Sequence, residues 1–180
     1  MSNATPTLNR DKIETVIFLD IEGVVVTHET IIVNTDLSNG KLYKGNSPFM
    51  HRYVDKIAIG LVYKLAVDFK AKIVLTSTLR HLPYTHGCLW ACAPTWCKDG
   101  APNLLITETT LRLSKREEEI AEFVARHQVE RYVVLDDKYL VCPNFVSVDP
   151  TTGFGYREYQ EAKRFLAKEE SQVSLEAIYL

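Results

Sequence analysis

Asp20 and Glu22 stand two residues apart at the end of an apolar run, in the stretch VIFLDIEGVV. A carboxylate beside a buried strand is costly unless a cation or hydrogen-bond donors compensate it. Two further runs end in the same manner: KIVL leads into Thr76 and Ser77, and YVVL leads into Asp136 and Asp137. If these runs are neighbouring strands, their polar ends converge on one crevice. Several carboxylates a few ångströms apart repel strongly in a low dielectric, which calls for a bound cation. An oxygen-rich donor set of this kind suits Mg²⁺, an ion that keeps several waters and commonly bridges to a substrate phosphate. Taken singly, each signal also marks ordinary turns, caps and loop acids. Their joint placement at strand ends, in a consistent order, is what links them.

Positioning these groups requires a sheet, and the sequence supplies five short β-rich runs: Thr15 to Leu19, Lys72 to Leu75, Leu104 to Thr107, Tyr132 to Leu135 and Phe145 to Val148. They are nearly all apolar, as expected of strands buried on both faces in a parallel sheet covered by helices. Val54, Ile57, Ala58, Leu61, Val62, Leu65, Ala66 and Phe69 recur at helical spacing and predict a crossover helix. Ser114, followed by Glu117 three residues later, predicts a capping box opening a second helix with Ile120, Ala121, Phe123 and Val124 inward. A third helix is predicted from about Tyr156 through Leu166, and a turn or two between Pro83 and Pro94. Such alternation argues for a doubly wound, Rossmann-like α/β domain, whose ligand sites lie beyond the carboxyl ends of the strands.

A chain of 180 residues can bury one full core, so a single domain is expected over 14–168, with an N-terminal extension, a small insertion at 24–53 and a C-terminal tail from 169. The formal charge of -2 exerts no global pull toward nucleic acid or anionic membrane, although Arg112, Lys115 and Arg116 form a local basic cluster. No apolar run reaches the ~18 residues that a membrane span needs, and no secretory leader is evident, so a cytoplasmic protein is expected. Four cysteines are too few and too unevenly spaced for a disulfide framework. His86, Cys88, Cys92 and Cys97 invite a zinc reading, but their spacing is not that of paired-cysteine sites, and core packing is the preferred reading. His28, His51, His81 and His127 read as ordinary polar residues, His81 standing near enough to Thr76 to border the crevice.

The four polar segments together resemble the motifs of the haloacid dehalogenase superfamily of aspartate-nucleophile phosphohydrolases. The first is FLDIEGVV, the second KIVLTST, the third SKREEEI and the fourth YVVLDD, in the order that the family uses. KIVLTSTLR and YVVLDD are similar more narrowly to the branch found in Swiss-army-knife RNA repair systems. The resemblance implies that Asp20 attacks a phosphoryl group and that Glu22 serves as general acid and base. It also implies Mg²⁺ held by Asp20, the backbone carbonyl of Glu22 and Asp136 or Asp137. Thr76, with Ser77 nearby, would contact a phosphoryl oxygen. Lys115 or Arg116 would supply the cation, with Lys115 preferred because lysine is commoner in the family.

One departure stands out: Glu22 occupies the place where the family's phosphatases usually carry Asp. The extra methylene moves the carboxyl by more than ~1 Å, a scale on which rates change by ~100-fold. A catalytically weak or inactive binding module is therefore the alternative reading. A receiver-type domain would place the acidic pair first rather than last, and neither a Gly-x-Gly-x-x-Gly nor a Gly-Lys-Ser/Thr loop is present. The insertion contains Asn39-Gly40, a hairpin signal, and Tyr43, Lys44, Phe49, His51 and Arg52, which could contact substrate or simply form polar surface. It is too short for an independent cap domain. An open crevice suits a phosphate on a macromolecule, such as a nucleic-acid end or a phosphoprotein, and a small phosphorylated molecule also fits.

Overall fold

The computed structural model describes residues 12–35, 50–100 and 105–167. Five strands, β1 (Thr15–Leu19), β2 (Lys72–Leu75), β3 (Leu105–Thr109), β4 (Arg131–Asp136) and β5 (Phe145–Ser147), form one parallel sheet in the order β3-β2-β1-β4-β5. Around it lie α1 (His28–Asn34), α2 (Lys56–Asp68), α3 (Thr85–Ala91), α4 (Thr95–Gly100), α5 (Arg116–His127) and α6 (Tyr156–Leu166). The doubly wound α/β class and the five strands agree with the sequence reading.

The absence of polar alternation in β1 has a direct cause. Ile17 and Leu19 pack with Ile73, Leu75, Val133 and Leu135 into the cluster that includes Val62 and Leu65 of α2 and Ala162 and Leu166 of α6. Val16 and Phe18 face the other way, joining Val74 and Val134 against Ile120 and Phe123 of α5. Successive side chains alternate between faces, and each face carries a helix, so Val16 through Leu19 are all apolar. Phe18 sets its ring edge-on to Phe123 at 5.5 Å.

Helix starts decide where functional residues point. Asp55 opens α2, its side chain accepting hydrogen bonds from the N–H groups of Ile57 and Ala58. The capping box predicted at Ser114 does not form. Lys115 is the N-cap of α5 without a side-chain hydrogen bond, and Ser114 Oγ instead donates to Glu118 Oε2 at 2.9 Å. With the helix beginning at Arg116, Ser114 and Glu117 are one position out of register for a reciprocal box.

The periodicity did not predict α1 or α4. No residue of α1 is buried, so it shows no apolar stripe; its start is held by reciprocal hydrogen bonds between Thr27 and Thr30. Cys88, Cys92 and Cys97 are buried free thiols, and among the described residues none belongs to a metal-binding cluster. Trp96, next to Cys97 in the sequence, is half exposed, and His127 is buried against the Phe123 ring.

Asn39-Gly40, Tyr43, Lys44, Phe49, Leu104 and the tail from 169 lie outside the described residues. Among those described, no helix is long and apolar enough to cross a membrane.

Candidate active site

The chain runs outward from β1 to β2 and β3, then returns to place β4 on the opposite side of β1. This reversal leaves a crevice at the carboxyl ends of β1 and β4. Leu19 is level with Leu75 and with Leu135, so the next row of the sheet contains Asp20, Thr76 and Asp136 side by side. The ladder continues into that row: Asp20 N–H donates to the Leu135 carbonyl and Thr76 N–H to the Leu19 carbonyl, both at 3.0 Å.

Asp20 and Asp136 are buried and Asp137 is half-buried, and each has a carboxylate oxygen within 4.8 Å of the others. Arg116, the first residue of α5, reaches into this group. Its Nη1 donates to Asp20 Oδ2 at 2.9 Å and also to Asp136 Oδ2. The remaining oxygens of those two acids accept backbone N–H groups, Ile21 to Asp20 Oδ1 and Lys138 to Asp136 Oδ1, each at 2.9 Å. Asp137 Oδ1 is buried with no partner among the described residues.

The electrostatics record the crowding. Burial, then the charge of Asp20, pushes the Asp136 carboxyl up to about 6, with Arg116 opposing the rise. Asp137 is raised by burial and then by Asp20. Burial works against the Arg116 charge, but Asp20 and Asp136 outweigh it and hold the guanidinium protonated. Three oxygen-donor carboxylates, one with an unpartnered buried oxygen, fit a hard divalent cation such as Mg²⁺. The raised folded-state value of Asp136 also sets a sign. At Asp136 the folded protein holds more proton than the unfolded chain between the ordinary carboxylate value and about 6, so this group's contribution to metal-free stability should fall as pH rises through that window, while Asp68 and Glu117, both lowered, act with the opposite sign. Urea midpoints of the parent and Asp136→Asn in chelator at about pH 4 and about pH 7 test this; the parent should lose ground to the variant at the upper pH, and a gain would contradict it.

Gly23 makes room for the third acid. Its φ is +82°, and an added Cβ would lie 2.5 Å from Asp137 Cγ. Gly23→Ala is expected to destabilise by about 1–3 kcal/mol through backbone strain and to displace Asp137. Thermal melts with and without Mg²⁺ should show both a lower Tm and a smaller metal-induced rise, whereas unchanged melts would contradict the assignment.

The other predicted residues fall into place unevenly. Glu22 lines a cleft of about 310 Å³ together with Asp20, Gly23, His28, Thr78, Arg116, Asp137 and Lys138, but its carboxylate is not one of the three that gather. Thr76 lies in the row of Asp20, and its buried Oγ1 has no hydrogen-bond partner among the described residues. Ser77 Oγ is engaged locally, accepting Leu79 N–H at 3.2 Å. Of the two candidate cations the structure brings Arg116 to Asp20 and leaves Lys115 exposed, which corrects the preference for Lys115. One residue of helix register decides it, because Lys115 precedes the first turn while Arg116 begins it. His51 and Arg52 do not line the cleft, whereas His28 and Thr78, not singled out from sequence, do.

The sequence reading also missed a buried ion pair. Arg80 Nη2 contacts both Glu119 oxygens at 3.0 Å, and its Nη1 donates to the carbonyls of Thr76 and Ser77 at 2.8 and 2.9 Å. Glu119 further accepts from Thr110 Oγ1 and Leu113 N–H, both at 3.1 Å. The pair therefore ties the loop after β2 to the helix that carries Arg116. Its partners are 39 residues apart, and only an acid at an inward position of α5 hinted at it.

No curated protein and no solved structure matched the chain. A family model described as the HAD domain in Swiss Army Knife RNA repair proteins matches residues 16–158, a span that holds every residue of the acidic site and both strand ends that build it. The chain belongs to that family of haloacid-dehalogenase-like domains.

Proposed function

We propose that this chain hydrolyses phosphate monoesters through a covalent aspartyl-phosphate, with Mg²⁺ as its resident ion. An Asp20 carboxylate oxygen attacks phosphorus in line, forming one P–O bond as the ester P–O bond breaks. Glu22 gives its proton to the departing oxygen, then takes one from the water that cleaves the acyl phosphate. Arg116 orients Asp20 through the contact at Oδ2. Thr76 supplies a phosphoryl contact from a hydroxyl that has no other partner among the described residues. Asp20, Asp136 and Asp137 would hold Mg²⁺, which when bound neutralises repulsion between the nucleophile and the phosphate oxygens.

The observation that carries this reading is the closure of Arg116 onto Asp20 and Asp136 at the strand-order reversal, 96 and 20 residues away in sequence. The substrate we assign is a phosphate at the end of a larger molecule, and the family's description points to RNA. Phosphate release from p-nitrophenyl phosphate that needs Mg²⁺ and stops in Asp20→Asn tests the chemistry. Glu22, one methylene longer than the usual Asp and outside the carboxylate group, favours a second reading, a binding module without turnover. Silence across a broad panel of phosphate esters would select that reading. Mg²⁺ should in either case raise the Tm, by less in Asp137→Asn; no metal-induced shift in the parent protein would remove the ion from the proposal.

A further inference from the structure

A second cleft of about 290 Å³ adjoins the first, and the two share Thr78 and Arg116 as a common wall. Its lining holds the guanidinium groups of Arg80 and Arg112, the imidazole of His81 and the hydroxyl of Ser114, with Glu119 as its acid. The acid's charge is already matched. Glu119 accepts two hydrogen bonds from Arg80, one from Thr110 and one from the Leu113 backbone. Arg116 is likewise matched by Asp20 and Asp136. Arg112 is different, being exposed and making no ion pair among the described residues. It is left as an uncompensated cation beside the exposed imidazole of His81, whereas the Ser114 hydroxyl is already donated to Glu118. The cleft also lies at the start of α5, whose N-cap Lys115 offers no side-chain acceptor to the first-turn N–H groups. One wall is rigid, because Arg80 is buried and anchored to the carbonyls of Thr76 and Ser77.

We propose that this second cleft binds another phosphate group of the substrate, held by Arg112 with His81 while the scissile phosphate lies at Asp20. The inference rests on the phosphohydrolase reading and deepens it. The substrate then carries two phosphates, either within a polynucleotide end or within a single nucleoside bisphosphate. A phosphopeptide with neutral side chains beside its phosphate presents no second anion and leaves Arg112 without a partner.

The test uses the full chain with Mg²⁺ and five probes: p-nitrophenyl phosphate, a nucleoside monophosphate, a nucleoside bisphosphate, a short oligonucleotide phosphorylated at its end and a phosphopeptide. A charge-assisted contact of this type should raise kcat/KM for the bisphosphate or the oligonucleotide roughly tenfold or more over the monophosphate. Arg112→Ala should remove that advantage through KM and lower the salt dependence of oligonucleotide affinity by a slope of about one, leaving p-nitrophenyl phosphate turnover within about twofold. An advantage for the oligonucleotide alone identifies a strand end, and an equal advantage for the bisphosphate identifies the smaller source; both support the second phosphate site. A monophosphate as good as the other two, a preferred phosphopeptide, or an Arg112→Ala loss shared equally by all probes would overturn it. If no probe is hydrolysed, the catalytic reading has failed, and calorimetric binding then decides this one. Tighter binding of the bisphosphate than of the monophosphate, lost in Arg112→Ala, sustains the site, whereas equal binding overturns it.

Discussion

Asp20→Asn is expected to end turnover, by a factor on the order of 10⁴ or more, while leaving the fold intact. The amide keeps the shape of the carboxylate, and its oxygen can still accept the Ile21 N–H that Asp20 Oδ1 receives at 2.9 Å. What it loses is the oxygen proposed to attack phosphorus and the charge that faces Arg116 Nη1. Arg116 retains Asp136, so its guanidinium keeps one anionic partner. Asp136 and Asp137 both lose a negative neighbour that raises them, which relieves part of the repulsion in the metal-free site. The variant should therefore melt cooperatively near the parent Tm and respond less to Mg²⁺. Residual activity within about a factor of ten of the parent would mean that Asp20 is not the group that attacks phosphorus.

Glu119→Ala should be the most damaging substitution outside the acidic site, lowering stability by about 3–5 kcal/mol. The side chains of Arg80 and Glu119 are only 4% and 7% exposed, so solvent cannot take over when one partner is removed. Truncation strands the Arg80 Nη2 charge and also leaves the Thr110 hydroxyl and the Leu113 N–H without their acceptor. Against a total stability of about 5–15 kcal/mol for a domain, this is a large fraction. A shift in urea midpoint at constant slope reads it directly. Glu119→Gln should be milder, since an amide oxygen can still accept from Leu113 or Thr110. A loss below about 1 kcal/mol in Glu119→Ala would show that the pair is already hydrated in the folded protein.

Much of the architecture was legible because β1 is apolar from Val16 to Leu19, and only a strand covered on both faces tolerates that. The ends of β1 and β2 were placed within a residue, since Asp20 and Thr76 mark where burial gives way to the crevice. Helices were legible where they bury a stripe, as α2 does with Ala58, Val62, Leu65 and Ala66, and illegible where they bury nothing, as in α1. The acids Asp20, Asp136 and Asp137 were visible as residues, but their meeting depends on strand order, which no local pattern encodes.

The identity of the cation illustrates the limit more sharply. Lys115 and Arg116 are adjacent, both basic and both before an apolar stripe, and local sequence alone left the choice to family habit. One extra residue before the first helical turn rotates Lys115 away from the site and brings Arg116 onto Asp20. The Arg80–Glu119 pair and the cleft residues His28 and Thr78 are of the same kind.

Composition and periodicity by themselves determined the layered α/β class, the strands and the chemical character of their polar ends, because burial of apolar surface acts through local patterns. Tertiary structure alone decided which cation serves the acids, which oxygens meet and which charges remain uncompensated. Those outcomes depend on distances of a few ångströms between residues far apart in the chain, and Coulombic and hydrogen-bond energies change steeply over that range.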